Sequence, residues 1–164
     1  MRNTVLKEMD KCSGCGLCET VCPVQAIKME YDKSGFIYPV IQKEKCIDCG
    51  LCERKCVVET VSVEYPRTCY AGVHLDKKIR VKSSSGGMFA ALAEYTLEQG
   101  GVVFGAAVVP KGKIVTVKHI MIKNKEELKK LQGSKYVQSD IRECYTNVKQ
   151  QLAEGKKVLF SGTP

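Results

Sequence analysis

Several things that this 164-residue chain lacks narrow its possible functions before any motif is considered. Only two histidines are present, His74 and His119, and neither has a neighbour in the sequence that would make it a general acid or base. We expect surface or core roles for both. No apolar run reaches the about 20 residues that a membrane-spanning helix needs. No secretory signal pattern opens the chain, which favours a cytoplasmic location and argues against a disulfide framework.

Cysteine, by contrast, is abundant, and eight of the ten cysteines stand in two runs of identical spacing. The first run is Cys12-x2-Cys15-x2-Cys18-x3-Cys22, and the second, 34 residues later, is Cys46-x2-Cys49-x2-Cys52-x3-Cys56. This spacing is typical of bacterial-type ferredoxins, which bind a pair of 4Fe–4S clusters through thiolates. Gly14, Gly16 and Gly50 lie in these loops and would let the backbone wrap closely around an inorganic core. We therefore predict two 4Fe–4S clusters and one-electron transfer.

The fourth cysteine of each run is expected to ligate the cluster held by the other run, as in two-cluster proteins with this spacing. One cluster is then predicted to be bound by Cys12, Cys15, Cys18 and Cys56. The other is predicted to be bound by Cys46, Cys49, Cys52 and Cys22. Because each cluster would take thiolates from both runs, the clusters would link the two halves of the domain. Folding and cluster insertion should therefore be coupled.

Disulfides and structural zinc are the competing interpretations of the two runs. Cysteines three positions apart bridge poorly, and zinc sites are expected to use Cys-x2-Cys pairs separated by a longer gap. A single cluster or a three-iron form would be a variant of the same prediction. Of the two remaining cysteines, Cys144 falls on an apolar helical stripe and is predicted to be a buried, inert thiol. Cys69 follows Pro66 in a connecting segment and is predicted to be a free thiol.

The repeat extends beyond the cysteines, since Leu17 matches Leu51 at the same offset and Glu19 matches Glu53. Residues 1–65 are therefore predicted to form a two-cluster ferredoxin-like domain with a pseudo-twofold βαβ repeat. We expect strands near residues 4–7, 27–31, 36–40 and 61–65, with a hairpin turn over residues 32–35.

Residues 66–82 are predicted to be a charged linker, and residues 83–164 a mixed α/β domain. A helix is expected from after Gly87 to about Gln99, stopped by Gly100 and Gly101. Its predicted buried face consists of Phe89, Leu92, Ala93, Thr96 and Leu97. Strands are expected over residues 102–109, 113–122 and 157–161. The fold class of the whole chain is therefore α+β.

Two more helices are predicted in this second half. Asn124, with Glu127 three residues later, predicts a capped short helix. Asp140 predicts the start of another helix, which Gly155 ends. The apolar stripe of that helix is Ile141, Cys144, Tyr145, Val148 and Leu152.

Two loops of the second half have the composition of binding loops. Residues 83–87 read Ser-Ser-Ser-Gly-Gly and offer hydroxyls and backbone N–H groups at a helix N-terminus, where anions bind. A serine-rich helix cap without a ligand is the plain alternative. The last strand runs into a Ser-Gly-Thr turn, a sequence that suits a binding loop at the carboxyl end of a sheet. Because the chain stops there, we expect a truncated domain from the N-terminal part of a longer protein.

The order of motifs resembles the beta subunit of the coenzyme F-420 hydrogenase/dehydrogenase family. The two cysteine runs are followed by Lys82-Ser-Ser-Ser-Gly-Gly-Met-Phe-Ala-Ala-Leu, Gly133-Ser-Lys-Tyr-Val-Gln-Ser and Val158-Leu-Phe-Ser-Gly-Thr-Pro. The resemblance implies a flavoprotein in which FAD exchanges a hydride with an organic substrate. The clusters would connect the flavin to a one-electron partner such as ferredoxin.

The resemblance also implies which residues would lie against FAD, carried over motif by motif. These candidates are Ser84, Ser85, Gly86, Gly87, Gly133, Ser134, Lys135, Ser161, Gly162 and Thr163. Lys135 is expected to meet a phosphate or the charge of the reduced flavin. The family's last motif usually continues into Cys-Gln, which this chain lacks.

The net charge of +8 suits an acidic electron donor or an anionic coenzyme or small-molecule substrate, although a solvated basic surface would look the same. No recognisable module supports nucleic-acid binding. Two functions are predicted. The first is an iron–sulfur oxidoreductase that relays electrons to or from a flavin. The alternative is a ferredoxin-like electron carrier or docking module with no catalysis on this chain.

Overall fold

Residues 1–66 and residues 67–164 form two separate units, and each is described by itself. The computed structural model describes residues 5–6, 8–60 and 68–162. Within these ranges no helix has the length and apolar character needed to cross a membrane.

The first unit contains a β-hairpin. Strand β1 (Ile27–Tyr31) pairs antiparallel with strand β2 (Ile37–Ile41). In the turn, the Asp32 carboxylate accepts hydrogen bonds from the N–H groups of Ser34 at 2.9 Å and Phe36 at 2.8 Å. The predicted strands and turn are thus confirmed to within one residue. The strand expected over residues 61–65 lies outside the described residues, as do residues 4 and 7.

Three short helices follow the cysteine loops of the first unit: α1 (Leu17–Val21), α2 (Leu51–Arg54) and α3 (Val57–Thr60). Helices α1 and α2 occupy equivalent places in the sequence repeat and begin in the same way. Their capping residues are Gly16, with φ 74° and ψ 7°, and Gly50, with φ 69° and ψ 9°. This left-handed backbone explains why both copies have glycine there. The pseudo-twofold βαβ arrangement stays a prediction.

A three-stranded sheet forms the centre of the second unit, with the order β4-β3-β5. Strand β3 (Val102–Lys111) pairs antiparallel with β4 (Ile114–Ile122) and parallel with β5 (Val158–Phe160). All three strands agree with the sequence prediction.

Three helices accompany the sheet: α4 (Lys77–Val81), α5 (Met88–Glu98) and α6 (Arg142–Ala153). Ala93 of α5 packs in one apolar cluster with Val103, whereas Cys144 of α6 packs in another with Val102 and Phe104. Successive side chains of a strand point to opposite faces. Helices α5 and α6 therefore cover opposite faces of β3, which explains its nearly continuous apolar sequence.

The helix faces differ in part from the prediction. Leu92 and Leu152 were expected to be buried but are 51% and 57% exposed, whereas Ala90 and Gln151 are 1% and 5% exposed. On α5 the small side chain of Ala90 allows a close approach to the sheet. On α6 the buried amide of Gln151 is satisfied, because its oxygen accepts a hydrogen bond from Lys156 at 3.0 Å.

The cap predicted at Asn124 is present, whereas the helix predicted to start at Asp140 has Ile141 at its N-cap, with no side-chain hydrogen bond from that residue. The side chain of Asn124 accepts a hydrogen bond from the N–H of Glu127 at 3.1 Å, although the helix it begins is the 3₁₀-helix Lys125–Lys130. The carboxylate of Asp140 accepts one from the N–H of Arg142 at 3.2 Å, at the start of α6.

Gly101→Ala should destabilise the second unit much more than Gly100→Ala. A Cβ atom on Gly101 would meet the carbonyl oxygens of Lys157 at 2.6 Å and Thr96 at 2.8 Å, so a strand or a helix would have to move. We expect a loss of about 3 kcal/mol in the free energy of unfolding. Gly100 has open space around it but a φ of +72°, so alanine there should cost only about 1 kcal/mol. Denaturant unfolding followed by circular dichroism measures both; equal losses would contradict the packing described here.

Candidate metal centres and ligand loops

One set of predicted cluster ligands lines a single cavity in the first unit. Cys22, which follows α1, shares this cavity with Cys46, Cys49 and Cys52. The cavity has a volume of about 390 Å³, including the part open to solvent, and most of its other lining residues are apolar. The fold thus brings the last cysteine of the first run to the first three cysteines of the second run.

The thiols of the other predicted set also lie near one another. Burial raises the pKa of the Cys12 thiol, and the neighbouring thiols of Cys15 and Cys56 raise it further. Burial likewise raises the pKa of the Cys18 thiol to about 12. A bound metal cation reverses this effect, because a coordinating thiol loses its proton.

Backbone N–H groups point at two of these sulfur atoms. The N–H of Gly14 donates to Cys12 Sγ at 3.4 Å, and the N–H of Ala26 donates to Cys22 Sγ at 3.2 Å. Such bonds stabilise thiolates and tune the potential of a cluster. Asp48 stands where the repeat places Gly14, and both have positive φ angles, 54° and 66°. Aspartate is one of the few residues other than glycine that adopt this conformation readily. The sequence analysis missed this role of Asp48.

The donor chemistry fits an iron–sulfur cluster. Among the described residues, no three Cys, His, Asp or Glu side chains converge on a point that one metal ion could occupy. A cubane cluster does not need ligands that converge on one point, because its four thiolates bind four separate iron atoms. Soft thiolate donors suit such clusters. The residues present therefore fit a 4Fe–4S cluster.

The serine–glycine loop of the second unit, residues 83–87, packs against the chain that precedes it. The N–H of His74 donates to the carbonyl oxygen of Gly86 at 2.6 Å. A Cβ atom on Gly86 would lie 2.6 Å from the Gly72 carbonyl oxygen, and one on Gly87 would lie 2.9 Å from the His74 Cβ. Close packing within the unit thus requires both glycines, whereas the hydroxyl-bearing Ser84 and Ser85 are exposed.

His74, for which a surface or core role was expected, has several partners within the second unit. Its Nδ1 accepts a hydrogen bond from the N–H of Asp76 at 3.0 Å, and its Nε2 lies 3.4 Å from the Glu94 carboxylate. The Arg80 guanidinium donates to its carbonyl oxygen at 3.0 Å. These contacts fix the position of residues 72–74, which pack against Gly86 and Gly87 of the serine–glycine loop.

The second candidate loop, residues 133–135, ends in a lysine that contacts the protein itself. The Lys135 ammonium donates to the carbonyl oxygens of Leu131 at 3.0 Å and Gln132 at 2.8 Å, just after the 3₁₀-helix. Burial lowers the pKa of Lys135. Gly133 and Ser134 are exposed. A contact between Lys135 and a ligand stays a prediction.

The third candidate loop continues from β5. The N–H of Ser161 donates to the Phe104 carbonyl oxygen at 2.9 Å, and the Ser161 carbonyl oxygen lies 2.8 Å from Nε2 of His119. Thr163 lies outside the described residues. Each of the three loops thus contacts a different neighbour, and the sequence analysis missed His119 as a partner of the last.

Charge is divided unequally between the two units. Residues 1–66 contain 9 Lys and Arg against 10 Asp and Glu, whereas residues 67–164 contain 17 against 8. The net charge of +8 therefore arises from the second unit. This distribution favours an anionic ligand on the second unit over steering of an acidic donor toward the cysteine runs.

Comparisons with protein families agree with this division. Residues 11–60 match the family model of a 4Fe-4S dicluster domain, which supports an iron–sulfur, electron-transfer domain in the first unit. Residues 69–144 match the family model of the coenzyme F420 hydrogenase/dehydrogenase, beta subunit N-term. The resemblance predicted from the motifs is thereby confirmed: one part of the chain is similar to a 4Fe-4S dicluster domain and another to the N-terminal part of this beta-subunit family. No match was found among the curated proteins or the solved structures.

Cys69 and Cys144 should react very differently with an alkylating reagent. Cys69 is exposed, whereas Cys144 is buried and its Sγ donates to the His119 carbonyl oxygen at 3.3 Å. Burial, together with the nearby carboxylates of Glu143 and Asp140, raises the pKa of the Cys144 thiol to about 11. Mass spectrometry after iodoacetamide treatment at about pH 8 should show Cys69 modified and Cys144 spared until denaturant is added.

The raised pKa of Cys144 also predicts a dependence of stability on pH. The neutral thiol stabilises the folded state fully below the ordinary thiol pKa of 9.0, and this contribution is lost as the pH rises toward about 11. Cys144→Ala should therefore show a smaller loss of stability over this range, with Cys69→Ala as the matched control. Rapid alkylation of Cys144 in the folded protein would contradict both predictions.

Proposed function

We propose that this chain relays single electrons between a soluble one-electron partner, such as ferredoxin, and a flavin, through two 4Fe–4S clusters. The observation that carries the proposal is the cavity that Cys22 shares with Cys46, Cys49 and Cys52. These four thiols would hold one cluster. When bound, the clusters would supply one-electron transfer and the flavin two-electron hydride chemistry.

The second cluster would be held by Cys12, Cys15, Cys18 and Cys56. Support comes from the thiols of Cys15 and Cys56, which lie near enough to Cys12 to add to the rise in its pKa. Two N–H···S hydrogen bonds, to Cys12 and Cys22, would help to set the potentials of the two clusters. Because each cluster would take thiolates from both runs, the fold of the first unit should depend on iron.

FAD is proposed as the cofactor of the second unit. The family match over residues 69–144 supports it, as does the excess of positive charge on that unit. Helix α4 adds the exposed side chains of Lys77 and Lys78 shortly before the exposed hydroxyls of Ser84 and Ser85. The flavin phosphates, or those of an anionic coenzyme, have the charge that such a surface attracts.

A ferredoxin-like carrier or docking module without catalysis on this chain is the second candidate function. The contacts of the candidate flavin loops favour it. Gly86 and Gly87 are required by packing, and the Lys135 ammonium is held by two carbonyl oxygens. These residues therefore have structural roles that need no flavin.

Iron content in paired variants tests both the clusters and their crossing. Anaerobically purified protein should contain about eight iron and eight sulfide per chain. With crossed ligation, Cys22→Ser combined with Cys46→Ser removes two ligands from one cluster and should leave about four iron. Cys12→Ser combined with Cys22→Ser removes one ligand from each cluster and should leave almost none.

The opposite iron contents of these two variants would show that each run binds its own cluster. Cys69→Ser is the matched control, because this exposed thiol stands outside both runs and should leave the iron content unchanged. Zinc in place of iron would refute the electron-transfer proposal altogether.

Reconstitution with FAD or FMN tests the flavin proposal. Binding should weaken as salt is added, because the second unit attracts the phosphates through its charge. Lys77→Glu combined with Lys78→Glu should weaken binding roughly tenfold. Lys28→Glu combined with Lys33→Glu, on the hairpin of the first unit, is the matched control and should leave the affinity unchanged. A protein that carries iron but takes up neither flavin would leave the carrier or docking module as the function.

A further inference from the structure

His119 is joined through each of its polar groups to a different partner in the second unit. Its backbone N–H donates to the Asp140 carbonyl oxygen at 2.9 Å, and its carbonyl oxygen accepts from the Cys144 thiol at 3.3 Å. On the ring, Nδ1 lies 2.8 Å from the Ser139 hydroxyl and Nε2 lies 2.8 Å from the Ser161 carbonyl oxygen. His119 of β4 thus contacts the loop that contains Ser139, the loop that contains Ser161, and helix α6 through Cys144.

The two ring contacts define the tautomer of the imidazole. The Ser161 carbonyl oxygen can only accept a hydrogen bond, so Nε2 carries the proton. In the neutral imidazole Nδ1 is then the acceptor, and the Ser139 hydroxyl donates to it. Because the protein itself uses both ring nitrogens, His119 is suited to positioning other groups and not to exchanging protons with a substrate.

An aromatic stack holds the imidazole in this orientation. The His119 ring lies 5.1 Å from the Phe160 ring, centroid to centroid, with an interplanar angle of 9°. The Phe160 ring in turn lies 6.2 Å from that of Phe104, which is fully buried. Gly162 passes close to the Phe160 and His119 rings, since a Cβ atom there would lie 3.4 Å from Phe160 and 3.5 Å from His119 Nε2.

The loops that meet on His119 are two of the three quoted motifs of the second unit. Ser139 ends the motif of residues 133–139, and Ser161 lies within the motif of residues 158–164. We propose that His119 is a positioning residue that clamps these two motifs together and so shapes the flavin site. The inference rests on the proposed flavin binding, and it adds to that proposal a residue outside all the motifs.

Four variants of the full, cluster-loaded chain test this role. His119→Phe keeps a ring to stack on Phe160 but removes both ring hydrogen bonds. Ser139→Ala removes the bond to Nδ1 alone, and Ser139→Thr restores a hydroxyl. Thr116→Val is the matched control on the same strand, because it removes a 3.1 Å hydrogen bond to the Val109 carbonyl oxygen, a residue of β3.

Two measurements are made on each variant. The dissociation constant of FAD, from quenching of flavin fluorescence, should rise roughly tenfold in His119→Phe and roughly threefold in Ser139→Ala. Ser139→Thr and Thr116→Val should stay close to the unchanged protein. Hydrogen exchange of the Ser161 amide, read by mass spectrometry without added flavin, should become faster in His119→Phe but not in Thr116→Val.

The two measurements separate this inference from the proposed function. If the unchanged protein takes up no flavin, the proposed function fails, and the exchange rate alone decides whether His119 clamps the loop. If it binds flavin, an unchanged affinity in His119→Phe overturns the inference. If His119→Phe does not fold, the two Ser139 variants decide. Weaker FAD binding in Ser139→Ala with recovery in Ser139→Thr supports the clamp. Equal FAD binding in these two variants overturns it.

Discussion

The convergence of cysteines from two distant runs on one cavity is the constraint on which the first unit depends. Among the described residues of this unit the buried apolar side chains include those of Val5, Leu6, Ala26 and Ile27, which make a small core. Partial burial also makes a thiol of the other predicted set resist ionisation, as the raised pKa of Cys18 shows. A cation that binds thiolates would remove that cost and join the two runs, so metal and fold are expected to stabilise each other.

The second unit depends instead on strand β3, which is covered on both faces. Helices α5 and α6 pack on its opposite sides, and β4 and β5 pair with its two edges. This arrangement fixes the end of β5, from which the last candidate loop continues. It also fixes His119 on β4, so that one imidazole can reach both Ser139 and Ser161. The precision of the proposed binding loops therefore derives from the sheet.

The separation of charge between the units changes how the composition is interpreted. A net charge of +8 for the whole chain suggested either an acidic electron donor or an anionic ligand as its partner. The first unit, however, carries slightly more acidic than basic residues, and the excess of lysine and arginine lies in the second. The excess positive charge thus lies on the part of the chain where an anionic cofactor is proposed.

The sequence by itself determined the features that depend on neighbouring residues. The cysteine spacing, the hairpin turn at Asp32, the Asn124 cap and the strand that begins at Val102 all follow from local patterns, and the structure contains the last three as predicted. Family motifs identified the domain type, which the matches over residues 11–60 and 69–144 confirm.

Only the tertiary structure decided which side chains meet across the chain. Helix α5 is oriented on the sheet so that Ala90 is buried and Leu92 is exposed. Gly86 packs closely against residues 72–74. The tertiary structure also made His119 the junction between two loops. The reason is physical: local patterns specify the backbone of a segment, whereas burial, close approach and hydrogen bonding of a side chain depend on segments that are distant in the sequence and become neighbours only in the fold.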